Sequence, residues 1–330
     1  MVGLRHNTML TGTSRETPDI SVIIVSYGSS DHVRKAVEAL STQRGLSFEI
    51  IVVDNASPAN DAGNLTELPI TLVRSEQNLG YGLGNNLGAE HARGKFLCVL
   101  NPDVIPSPDF LAQWIAAAQT ISITGEKLGC LAPRLTMPNG NPQKSVYQFM
   151  TPFNYWAQHS IAAGALKWMR KRWRASATQA TSTPHPVDWV MGAAMCFPRK
   201  AFESVGGFSS DYFLYAEDMD ICRRLRDAGF STWYTPQVTL PHGLGESSPE
   251  PRDVSVERLY RGLLMFLHQH YSSGRSLAVR ACMAADMVLR LILIVGPTAV
   301  LRKEKDFQRL KGYRRVLLMV LSNDIKSKTT

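Results

Sequence analysis

Two short runs near the start of the chain constrain its fold more than any other feature. Ser21 to Tyr27 (SVIIVSY) and Glu49 to Asp54 (EIIVVD) are β-branched, apolar stretches that each end on a polar side chain. A strand that reads apolar without alternation is buried on both faces, as in parallel sheets covered by helices. Between the two runs, Val33, Ala36, Val37 and Leu40 recur at helical spacing. Thr71 to Val73 and Phe96 to Leu100 add two short strands, and a helix rich in Gly and Asn is predicted over Tyr81 to Arg93. The expected architecture is α/β, a mostly parallel sheet flanked by helices. Ligands on such sheets sit beyond the carboxyl ends of the strands, which here carry Tyr27, Asp54, Arg74 and the triplet Asn101-Pro102-Asp103.

Further along, Thr151 to Pro186 is aromatic and basic, includes Trp168 and Trp173, and reads as a loop or a pair of short helices. Order returns at Asp188 to Pro198, at Gly206-Gly207-Phe208, in a helix over Glu217 to Ala228 and in a last strand over Thr232 to Thr235. Beyond Pro251, long helical patterns run over Val256 to Tyr271 and Leu277 to Val300. The expected organisation is a flexible tail over 1–18, an α/β domain over 19–255 and a basic amphipathic helical extension over 256–330.

Charge separates the last of these from the rest. From Val256 onward there are 14 Lys and Arg against 5 Asp and Glu, so the net charge of +8 arises entirely in this segment. A basic excess confined to one segment predicts an anionic partner for it. Its longest charge-free apolar run, Leu291 to Leu301, is too short to span a bilayer, which needs about 20 residues. Arg-lined helices suit a peripheral seat on anionic lipid, with a helical cap for folding or a homodimer as the plainer use. Nucleic acid is not expected, because aromatic residues are not interleaved with the bases as a stacking platform requires. The first residues lack the apolar run of a signal peptide, and five scattered cysteines show no metal-site spacing; both point to a reducing cytoplasmic setting.

Several local patterns carry chemistry. Asp103 places a hard oxygen ligand just past a buried strand, suited to a cation held between protein and phosphate, although Asn-Pro-Asp is also an ordinary turn. Glu217, Asp218 and Asp220 open a helix that ends in Arg223, Arg224 and Arg226. The helix dipole accounts for that polarity, but three carboxylates in four residues exceed what a cap needs. His242 follows the last strand in a Gly-containing loop, where it is either solvated or the second ligand of a metal site. The stretch from Asn78 to Asn86 fails the dinucleotide fingerprint, since Asn85 and Leu87 occupy the third-glycine positions.

Taken in order, VSY at 25–27, VDNAS at 53–57, NLGYGLGNN at 78–86, LNPD at 100–103, GAAMCFPRKAFESVGGF at 192–208 and YAEDMDICRRLRDAG at 215–229 resemble the family 2 glycosyltransferases, in their bacterial rhamnosyltransferase-like branch. The resemblance implies a GT-A fold and inverting transfer of a sugar from a nucleotide. It places Tyr27 against the pyrimidine, Asp54 on the base, and Arg74, Asn78 and Asn86 close to the nucleotide or sugar. Asp103 matches the last acid of the family's paired-acid element and implies Mg2+ or Mn2+, with His242 as second ligand, since Asn101 replaces the first acid. Asp218 is the implied base, with Glu217 orienting it and Asp220 as a substitute. Trp189 and Gly207 match the acceptor-side wall. The implied partners are a dTDP-sugar or UDP-sugar donor, dTDP-rhamnose first, and a lipid-linked glycan acceptor at the inner face of the cytoplasmic membrane. A non-catalytic sugar-nucleotide binder is the alternative from another class.

Overall fold

The computed structural model describes residues 17–160, 182–243, 252–298 and 304–322. Most of the expected tail, and Trp168 and Trp173, lie outside the described residues.

In chain order the elements are β1 (Ile20–Ser26), α1 (Ser30–Leu40), β2 (Phe48–Asp54), a 3-10 turn over Pro58–Leu65, β3 (Thr71–Arg74), α2 (Gly80–His91), β4 (Phe96–Leu100), α3 (Phe110–Ile123) and β5 (Leu128–Thr136). There follow β6 (Val146–Tyr147), α4 (Pro152–His159), β7 (His185–Val187), β8 (Trp189–Val190), β9 (Ala194–Pro198), α5 (Arg199–Ser204), α6 (Glu217–Asp227) and β10 (Ser231–Pro241). Three helices close the described chain: α7 (Arg252–His270), α8 (Ser273–Thr298) and α9 (Glu304–Ser322).

Among the described residues the main sheet has the order β3-β2-β1-β4-β9-β5-β10-β7. Strands β3, β2, β1 and β4 run parallel, as do β5 and β10, while β9 is inserted antiparallel between β4 and β5 and β7 is antiparallel at the edge. The sheet is thus mostly parallel, as the apolar runs predict. Every residue of β1 is buried. Its alternate side chains feed two cores, Ile23 and Val25 on one face and Val22 and Ile24 on the other.

Helix α2 lies close on the first of these faces because glycine lines its underside. A Cβ at Gly84 would come within 2.8 Å of Val25, and one at Gly88 would run into Ile23. This explains a Gly-rich stretch that is not a phosphate loop.

The C-terminal helices of the expected extension pack on the α/β layer. Tyr260, Leu264, Phe266, Met283, Met287, Val316 and Val320 belong to the same buried cluster as Ile23, Val99 and Met219. The boundary drawn at residue 255 falls inside α7. Full burial of each such large apolar side chain stabilises the fold by about 1.5–3 kcal/mol, so this layer is part of the domain. Helix α3 and strand β5, absent from the sequence reading, cover and extend the second face.

Candidate active site

The carboxyl ends of the parallel strands form one edge of the site. Register places Ser26 beside Asp54 and Asp54 beside Arg74, so Tyr27, Asp54 and Arg74 come from adjacent strands. Tyr27 is 38% exposed, whereas Asp54 is buried and accepts a hydrogen bond on Oδ1 from the Ser57 amide. The buried Asn55, overlooked in the sequence, ties this edge to α2: its Nδ2 donates to Asn78 Oδ1 at 2.9 Å and to the Gly80 carbonyl, and its Oδ1 accepts from Leu79 N–H. Asn78 Oδ1 also accepts from Gly80 N–H. Asn78 therefore shapes the turn into α2.

Beyond β4 and β10, Asp103 and His242 meet. Asp103 Oδ1 lies 3.4 Å from His242 Nε2, and both side chains are buried. His242 is not in a solvated loop as its position in the sequence allowed. Its N–H donates to the Thr136 carbonyl at 2.9 Å, and Gly243 N–H donates to the Asp103 carbonyl. The imidazole Nδ1 is 3.1 Å from Gln143 Oε1, and Nε2 is 3.2 Å from Asn101 Nδ2. An amide oxygen at Nδ1 and an amide N–H at Nε2 select the tautomer with its proton on Nδ1. The lone pair is then on Nε2, which accepts from Asn101 beside Asp103 and is the atom through which a neutral imidazole could ligate a cation. This pair of donors fits a divalent cation whose remaining ligands are phosphate and water. Among the described residues there is no group of three or more His, Cys, Asp or Glu side chains able to hold a metal without such help.

The acid pair opens α6, beside the interior of α2. Asp218 Oδ2 accepts from Gly192 N–H at 2.9 Å, and its Oδ1 from Met219 N–H at 2.8 Å. Burial pushes the Asp218 carboxyl up to about 6 against these two bonds. Glu217 is more strongly affected: burial, then the charge of Asp218, push it up to about 8, and its buried Oε2 has no hydrogen-bond partner. When one proton is shared between two close carboxyls, it stays on the group with fewer donors. At neutral pH Asp218 is therefore the carboxylate and Glu217 the acid.

Tyr81 links the two parts of the site. Its hydroxyl donates to the Gly192 carbonyl at 2.5 Å. Its pKa is raised by burial and also by Glu217, Asp218 and Asp103, which brings the acid pair and the candidate cation ligand into one electrostatic neighbourhood. Tyr147 has its hydroxyl pushed up to about 12 by burial and Asp218, and it stacks on Trp189 with ring centroids 4.5 Å apart. Trp189 Nε1 donates to the Gln148 carbonyl, leaving this aromatic pair as one wall beside Asp218.

Asp220, Asn86 and Gly207 each have structural partners. Both oxygens of Asp220 are engaged, Oδ2 by Arg224 Nε and Oδ1 by His270 Nε2, each at 2.7 Å. Asn86 donates to the Phe208 carbonyl and accepts from Phe208 N–H, which makes it a brace for the Gly-Gly-Phe turn. The Gly207 carbonyl accepts from Arg224 Nη2, so this turn is anchored on α6.

Comparison with known proteins identifies the family and the fold. The family model described as glycosyl transferase family 2 matches residues 21–175, and that described as glycosyl transferase family group 2 matches residues 140–303. An N-acetylglucosaminyl-diphospho-decaprenol L-rhamnosyltransferase of Mycobacterium tuberculosis is 25% identical over 90% of this chain and 99% of its own. The rhamnosyltransferase WbbL of Escherichia coli is 25% identical over 68% of this chain and 83% of its own. Among solved structures, a mannosyltransferase from Pyrobaculum calidifontis in complex with GDP-Man and Mn2+ superposes with a TM-score of 0.54, at 15% identity, over 94% of this chain and 89% of that one. Two family matches that overlap and together run over residues 21–303, rhamnosyltransferase relatives matched over most of their length and a shared GT-A fold make this protein a family 2 glycosyltransferase.

Proposed function

We propose that the chain is an inverting transferase that moves L-rhamnose from dTDP-rhamnose to a hydroxyl of a lipid-linked glycan during surface polysaccharide synthesis. The observation that carries this reading is the division of labour between Asp218 and Glu217, one half-buried carboxyl held by two amides beside a buried one whose Oε2 has no hydrogen-bond partner. The rhamnosyltransferase relatives favour the sugar, and the decaprenol-linked substrate named for one of them favours the acceptor. A UDP-hexose donor is the alternative on the same site.

In the reaction, Asp218 takes the proton of the acceptor hydroxyl. The acceptor oxygen forms its bond to the anomeric carbon from the face opposite the nucleotide, and the bond from that carbon to the diphosphate oxygen breaks with its electron pair leaving on the diphosphate. Tyr27 offers its ring to the base, with Asp54 and Arg74 beside it at the strand ends. Asp103 and His242 would hold Mg2+ or Mn2+, which supplies charge neutralisation on the departing diphosphate. An imidazole ligand favours Mn2+ over the harder Mg2+. Trp189 and Tyr147 give the acceptor sugar an apolar face.

The acceptor's lipid matches the outer surface of the C-terminal helices. Leu277, Val288, Ile292 and Leu293 on α8 and Leu318 and Leu321 on α9 are exposed, next to exposed Lys311, Arg314 and Arg315. Apolar side chains flanked by cations fit an anionic bilayer surface, and no described helix is long and apolar enough to cross one.

The test is nucleoside diphosphate release from a panel of dTDP- and UDP-sugars with Mg2+ or Mn2+, with and without polyprenyl-diphosphate-linked acceptor. Acceptor-dependent release from dTDP-rhamnose supports the reading. Release from a UDP-hexose alone transfers it to the alternative donor, and no release from any donor overturns it.

A further inference from the structure

The acid pair follows a segment that the α/β layer does not hold alone. Tyr215 and Ala216, directly before Glu217, have φ of 71° and 69°. Two successive non-glycine residues in the left-handed region are strained and persist only where their surroundings enforce them. Part of that enforcement comes from α2, whose Tyr81 N–H donates to the Phe213 carbonyl at 3.0 Å. The remainder comes from α7. Tyr212 Oη donates to Gln269 Oε1 at 2.7 Å, Gln269 Nε2 donates to Asp211 Oδ2, and the Arg258 guanidinium lies 4.6 Å from the Phe213 ring centre. At the strained turn itself α7 presents Gly262, where a Cβ would stand 2.5 Å from the Tyr215 carbonyl oxygen and 3.0 Å from the Ala216 Cβ.

We infer that α7 is a positioning element of the catalytic site, and that Gly262 is the residue through which it sets the Tyr215–Ala216 turn that aims Asp218. This rests on the reading of Asp218 as base. The contact is with backbone, which cannot rotate aside as a flexible side chain would, so a methyl group at 262 must displace the turn. Asp218 lies two residues beyond Ala216, and its two amide bonds fix it only if the turn delivers it in register. A displacement on the order of 1 Å at a reacting group costs about a hundredfold in rate.

The experiment compares wild type, Gly262→Ala, Gln269→Leu and Asp218→Asn, with Gly274→Ala as control because nothing lies within 4 Å of a Cβ there. For Gly262→Ala, kcat is expected to fall by about 10- to 100-fold with donor KM little changed. The acid limb of its pH profile should move, because the Gly192 and Met219 amides no longer meet Asp218 as before. Gln269→Leu, which adds no steric demand at the turn, should show a smaller loss of the same kind, and it decides the matter if Gly262→Ala does not fold. Unchanged kcat in both variants overturns the inference, as does a parallel change in kcat, KM and melting temperature with an unmoved pH profile. If Asp218→Asn remains active, the underlying reading fails. If it is inactive while the α7 variants match wild type, only the present inference fails.

Discussion

The main-chain N–H of Gly192 donates to Oδ2 of Asp218 at 2.9 Å, while the carbonyl of the same glycine takes the hydroxyl of Tyr81. One peptide neighbourhood at the entry to β9 thus orients the proposed base and anchors α2 against it. A Cβ at Gly192 would stand 3.4 Å from Tyr81 and 3.5 Å from Asp218 Oδ2, so the position is already filled to contact.

Replacing Asp218 with Asn retains an acceptor for the Gly192 amide but removes the proton acceptor. We expect kcat to fall by about 10²–10⁴-fold, the usual contribution of a positioned general base, with donor KM nearly unchanged. In wild type, kcat should rise with pH through about 6, where Asp218 ionises. Steady-state kinetics across pH check both outcomes, and equal rates for Asn and Asp at 218 remove it as base.

Glu217→Gln should act on the opposite limb. Glu217 is already protonated where Asp218 ionises, so its replacement leaves the acid limb in place. Ionisation of Glu217 near about pH 8 adds a second buried negative charge beside Asp218. The wild-type rate should decline there and the Gln variant should not. The same group links stability to pH. Its pKa is raised from 4.5 to about 8 on folding, so between those values the folded chain keeps a proton that the unfolded chain has released. Stability therefore falls as pH rises through this window, and Glu217→Gln should flatten the pH dependence of the melting temperature.

The sequence made the sheet legible because β1 and β2 each carry four consecutive β-branched apolar residues, Val22 to Val25 and Ile50 to Val53, and end on polar residues, a pattern with few alternative folds. Asp103, Asp218 and His242 were legible as residue types at strand and helix ends. Their environment was not. Asp220 stood as a substitute for Asp218 one-half turn away, and its buried pairing with His270 of α7, 50 residues later, is a contact that local sequence does not record. Tyr81, Asn55 and Gln143 escaped notice for a related reason. Their hydrogen-bond partners lie 111, 23–25 and 99 residues away, and nothing in local spacing records such contacts.

Gln143 makes the cation pair testable without touching a ligand. With its Oε1 on His242 Nδ1, it fixes the tautomer with the lone pair on Nε2. Gln143→Leu removes this partner, and loss of such an outer contact weakens metal binding by about 10–100-fold. Mn2+ titration followed by electron paramagnetic resonance, in the presence of nucleoside diphosphate, should show that loss in Gln143→Leu and no measurable site in Asp103→Ala. Unaltered Mn2+ affinity in both would place the cation elsewhere.

Asp220 should prove to be a residue of stability. Its carboxyl is 1% exposed and bridges Arg224, four residues on within α6, to His270 of α7, while Arg224 also donates to the carbonyls of Val205 and Gly207. Removing one member of a buried ion pair leaves the others uncompensated and costs about 3–5 kcal/mol. Asp220→Ala is therefore expected to lower the melting temperature by several degrees. Because Arg224 and His270 join α6, the Gly-Gly-Phe turn and α7, the loss should include weaker docking of α7, seen as faster hydrogen exchange in Tyr260 to Leu267. In the fraction that remains folded, the pH at which kcat rises should match wild type, since Asp220 makes no contact with the acceptor proton. A shifted acid limb with an unchanged melting temperature would instead place Asp220 in the chemistry.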